Sequence, residues 1–66
     1  MSTDIFYWVM HIVRGDVYAI GPYKSREGAE NRLDQVTGGQ ADLFKSFEAD
    51  PIKAIDDYKS EQMGVN

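Results

Sequence analysis

The run Tyr18-Ala19-Ile20-Gly21-Pro22-Tyr23-Lys24-Ser25-Arg26 constrains the fold of this chain more than any other stretch. β-Forming residues lead into Gly21-Pro22, and proline has no N–H to give to a sheet ladder, so a strand is expected to end there. Ser25 is a sound N-cap, because its hydroxyl can accept from a backbone N–H of the next turn. Ala29, Leu33 and Val36 then recur at i, i+4 and i+7, the spacing of one helix face. Glu30, Arg32, Asp34 and Gln35 take the wet side. Gly28 weakens the helix by roughly 1 kcal/mol relative to alanine. Thr37-Gly38-Gly39 closes it, with Gly38 suited to the left-handed C′ position. The spacing therefore predicts a strand over 17–21 and a helix over 25–37.

Upstream, residues 5–13 are β-branched, aromatic or apolar almost throughout, which favours a strand. Alternation sorts them into two faces. Phe6, Trp8, Met10 and Ile12 form a wholly apolar set, assigned to the core. Ile5, Tyr7, Val9, His11 and Val13 form the other. A two-residue Gly15-Asp16 loop of type II′ is expected to join the two strands. Under that register Ile12 faces Ala19, and Tyr18 and Ile20 share the second face with His11 and Val13. Downstream, residues 42–48 read as a less buried strand around Leu43, Phe44 and Phe47. Asp50-Pro51 is a strong helix start, aspartate as N-cap and proline at the first helical position. Ile52, Ile55 and Tyr58 make an apolar stripe along a helix over 51–62.

The order strand, strand, helix, strand, helix defines an α+β chain (ββαβα). A helix between the second and third strands returns the chain, so those strands run in one direction and can flank the first. The expectation is a three-stranded antiparallel sheet of order 2-1-3, with both helices on the Phe6, Trp8, Met10, Ile12 face.

Sixty-six residues suffice for one domain, and a chain this short buries only about 60% of the surface it exposes when unfolded. Cysteine is absent, which leaves disulfides and thiolate chemistry out and leans toward a reducing interior. The start Met1-Ser2-Thr3-Asp4 lacks a basic flank, and the apolar run that follows is far short of the roughly 20 residues of a bilayer span. A cytoplasmic setting with no membrane partner is expected. The net charge is −4, and an acidic chain disfavours nucleic acid unless its cations cluster.

The segment Val17-Tyr18-Ala19-Ile20-Gly21-Pro22-Tyr23-Lys24-Ser25-Arg26-Glu27-Gly28-Ala29-Glu30 resembles the second half of SPOR-type domains. Those modules show a strand, Gly-Pro-aromatic, a Ser-Arg helix cap and Ala-Glu, and the family resemblance implies peptidoglycan binding. The likeness covers about a fifth of the chain. It departs from the family in opening with a hairpin, ending in a helix and lacking an export signal. In size and acidity the chain is also similar to small proteins of bacteria and their phages.

Chemistry-bearing constellations are sparse. His11 has only Tyr7 and Val9 beside it on its own strand face, and neither orients an imidazole as a general base needs. No residues are spaced as metal companions for it. Asp56 and Asp57 point about 100° apart on a helix and do not converge. No phosphate-binding glycine spacing occurs. The sequence thus predicts no enzyme, no cofactor and no metal. It predicts a non-catalytic protein-interaction module, binding a protein or a second copy of itself through an open sheet face of Tyr7, Val9, His11, Tyr18 and Ile20, a face that the final helix could equally cross to cover. One alternative is a nucleic-acid binder that stacks bases on Tyr7 and Tyr18 beside a basic end of Arg14, Lys24 and Arg26. The other is an acidic inhibitor presenting Asp42, Glu48, Asp50, Asp56, Asp57 and Glu61 to a basic partner.

Overall fold

The computed structural model describes residues 4–63. Strands β1 (Phe6–Val13) and β2 (Asp16–Tyr23) are followed by helix α1 (Arg26–Gln35), strand β3 (Gln40–Ser46) and helix α2 (Pro51–Met63). The three strands form one antiparallel sheet in the order β2-β1-β3, so the most apolar strand is central. The protein is an α+β fold of ββαβα order.

The hairpin turn falls on Arg14-Gly15, not on Gly15-Asp16. Both residues have positive φ, 53° and 86°, as a type I′ turn demands. Val13 pairs with Asp16, Ile12 with Val17 and His11 with Tyr18. The register is displaced by two residues from the expected one. An even displacement leaves every side chain on its face, so Tyr18 and Ile20 still lie with His11 and Val9. Strand β2 also runs past Pro22 to Tyr23. It is an edge strand, where a missing N–H can face solvent. Between the Val9–Ile20 and Tyr7–Tyr23 pairs β2 carries one extra residue, a bulge that brings Tyr23 onto the Tyr7 face.

The helices lie on opposite faces of the sheet, which corrects the expectation that both share one. Helix α2 covers the Phe6, Trp8, Met10, Ile12 face, where Ala54 and Tyr58 are buried against Trp8 and Met10, with Val17, Ala19, Phe44 and Ile55 around them. Helix α1 covers the other face. Val9, at its centre, has 0% of its surface exposed, as has Ala29 of α1. Tyr23 packs beneath Gly28, where an added Cβ would lie 3.6 Å from its ring. Ser25 caps α1 as expected, accepting from the Gly28 N–H at 3.1 Å.

Helix α1 ends at Gln35, and the chain turns back through Gly38 and Gly39. Gly39 has φ of 68°, and a Cβ there would sit 2.3 Å from the Ile12 carbonyl oxygen. Only glycine allows that approach. Strand β3 starts two residues earlier than predicted and stops before Phe47. In α2 the buried positions are Ala54 and Tyr58 with Ile55 half-buried, so the inward stripe excludes Ile52, which is 74% exposed.

Candidate functional site

The face predicted to be open is roofed by α1. Val9 is a core residue and cannot contact a partner. Tyr7, His11 and Ile20 are half-buried, and of that set only Tyr18 is well exposed, at 55%. Tyr18 sits on the outer strand β2, beyond the cover of the helix. His11 is engaged structurally, its Nε2 lying 2.6 Å from the Gly38 carbonyl oxygen, which ties β1 to the loop leaving α1.

The expected basic end is not one place. Arg14 is in the hairpin, whereas Lys24 and Arg26 follow the far end of β2. Eight strand residues at about 3.3 Å each hold them roughly 25 Å apart. Arg26 is further occupied by Glu30, one turn along α1, with Nε to Oε2 at 2.9 Å.

The other polar groups near the core are also committed. The Trp8 indole N–H donates to the Glu48 carbonyl at 2.9 Å, fixing the chain as it leaves β3. The Tyr58 hydroxyl donates to Asp42 Oδ2 at 2.5 Å. Burial first, then that hydrogen bond and the carboxylate charge, push the Tyr58 pKa up to about 12. The Ser46 hydroxyl donates to Asp57 Oδ2 at 3.3 Å and accepts from the Glu48 N–H at 3.1 Å. Each of these bonds joins α2, or the corner leading to it, to the sheet.

Of the four exposed large apolar side chains among the described residues, Ile5 and Tyr18 lie apart and the two most exposed, Phe47 and Ile52, lie where β3 passes into α2. Phe47 is 63% exposed and Ile52 74%. Asp50 caps α2 at this corner, its carboxylate accepting from the Ile52 N–H at 2.8 Å. Beside the corner runs a cleft of about 540 Å³, lined by Phe44, Lys45, Ser46 and Phe47 on one side and Asp57, Ser60 and Glu61 on the other. Phe44 and Ser46 belong to the α2 face of the sheet, opposite Trp8 and Phe6, while Lys45 lies on the α1 face opposite Tyr7. The cleft therefore runs along β3, between that strand and the second half of α2. Among the described residues no strand pairs with the edge of β3 away from β1. The sequence names Asp57 and Glu61 within a general acidic surface but does not show that they meet Phe44 and Phe47 in one cleft. The signal in the sequence was Phe47, which falls just after the strand, too late to take part in the pleat.

No family model, no characterised relative and no solved structure matches the chain. No helix among the described residues is long and apolar enough to cross a membrane. Among those residues, no group of three or more His, Asp or Glu side chains is placed to hold a metal ion.

Proposed function

We propose that this protein is a small non-catalytic protein-interaction module whose contact surface is the β3–α2 corner and the cleft beside it. One observation carries the reading. A chain this short has few large apolar side chains to spare, yet its two most exposed, Phe47 and Ile52, remain in water within six residues of each other. Phe47 also lines the cleft, and the neighbouring β3 edge is unpaired among the described residues, a surface a partner can fill. The engagement of His11, Tyr58, Asp42 and Ser46 in bonds between elements supports the non-catalytic part of the reading.

The test is a photo-crosslinking amino acid placed at position 47 in the protein's native cell, with position 30 on the outer side of α1 as control. A discrete protein adduct at 47 and none at 30 is expected. An adduct of twice the chain's mass makes the partner a second copy. Equal smears at both positions, or no adduct at 47, overturns the reading.

A further inference from the structure

We infer that the β3–α2 cleft takes an extended segment of a basic partner protein, which adds as a fourth strand to the free edge of β3. This deepens the protein-interaction reading above and rests on it. The edge strand presents outward-pointing backbone N–H and C=O groups that only another extended backbone satisfies along their whole length. β3 is an edge strand of the sheet and the cleft runs along it, so a strand hydrogen-bonded to that edge would lie in the plane of the sheet. Its alternate side chains would then project to either side. On the α2 side they meet Phe44 and the two carboxylates Asp57 and Glu61. An alternation of aliphatic and cationic residues fits that lining.

Charge selects the partner. Between positions 42 and 61 six acids stand against three lysines. Helix α2 carries no basic residue in its last turn to offset the negative end of its dipole, and Asp57, Ser60 and Glu61 lie in that half of the helix. Asp57 uses one oxygen on Ser46. Lys45 is the one cation lining the cleft, and it lies on the opposite sheet face from Phe44.

A second copy fits less well. In antiparallel pairing of two β3 strands, directly opposed residues share a sheet face. Asp42 pairs across β1 with Met10 and Lys45 with Tyr7, so they lie on opposite faces. No such register can therefore set Lys45 of one copy against Asp42 of the other. Each copy would also bring the same acidic excess to the joint.

The experiment titrates the isotope-labelled full chain with an acetylated alternating Lys-Val octapeptide, followed by amide chemical shifts. The matching Glu-Val peptide and a Lys-Val peptide N-methylated on alternate residues are run in parallel. Saturable shifts are expected at residues 40–47 and 57–61, with Lys-Val binding at least 10-fold tighter than Glu-Val and the N-methylated peptide not binding. The D57N/E61Q double variant, which keeps an oxygen for Ser46, should bind Lys-Val about 10-fold more weakly with its own spectrum otherwise unchanged. Equal binding of the two charge types, shifts elsewhere, no shift at millimolar Lys-Val, or occupation of the β3 edge by a second copy overturns the inference. If an adduct forms at position 47 while the titration fails, the interaction reading stands and only the basic-strand partner is lost.

Discussion

Tyr58 fastens α2 to the sheet twice. Its ring meets Phe44 edge-on, with centroids 5.4 Å apart and planes at 81°, a favourable aromatic arrangement. Its hydroxyl donates to Asp42. The folded protein holds this proton up to about pH 12, whereas the unfolded chain gives it up near 10. The native state thus binds more protons between those values, so its contribution is full below pH 10 and is lost as pH rises through 12. Tyr58→Phe keeps the ring contact and loses the hydroxyl bond. A loss of roughly 1 to 2 kcal/mol is expected at neutral pH, measured by urea unfolding. The gap between parent and variant should shrink above pH 10. If the gap stays constant to pH 12, the hydroxyl is not what links α2 to β3.

The hairpin shows how local chemistry sets one element. Arg14 holds φ of 53°, a region few residues other than glycine, asparagine and aspartate visit readily. The type II′ turn expected from the sequence lies one residue later, with Gly15 alone at positive φ. In fact the β1–β2 pairing outweighs the cost at Arg14, since it sets Ile12 and Val17 together in the core. Arg14→Asn makes the preferred Asn-Gly type I′ turn and is expected to stabilise the protein by about 0.5 kcal/mol, seen as a higher urea midpoint with an unchanged slope. Destabilisation would argue for a different turn. Helix α2 shows the converse. Ile52 and Ile55 share a helical stripe with Tyr58 in the sequence, but the corner held by Trp8 and Glu48 sets the helix's rotation so that Ala54 turns inward.

Among the described residues, the central strand of the sheet is dry on both faces. A helix on each side gives two small cores in place of one large one, with β1 contributing Trp8 and Met10 to one and Val9 to the other. Val9→Ser is therefore expected to cost about 2 kcal/mol or more, through lost packing and a buried hydroxyl. That is a large share of the roughly 5 kcal/mol such a chain holds in total. Tyr18→Ser, on the exposed rim, should stay within about 0.5 kcal/mol of the parent. Thermal unfolding of the two variants separates a roofed face from an open one: similar, small losses would mean that α1 does not cover Val9.

Element order, antiparallel strand order and the two helix caps were legible because they depend on local signals: periodicity, Ser25, Asp50-Pro51 and the glycine turns. The division of β1 into two faces was legible too, since alternation is a property of the backbone. Which helix roofs which face was not, because residues 5–13 are apolar on both sides and either face could accept either helix. The candidate site was least legible. The exposure of Phe47 and Ile52 depends on where β3 stops and how α2 is rotated, and both are decided by packing around Trp8 and Tyr58, contacts 40 and 16 residues apart in the chain. Local pattern determines what each segment becomes, but only the closing of the two cores decides which apolar side chains are left in water.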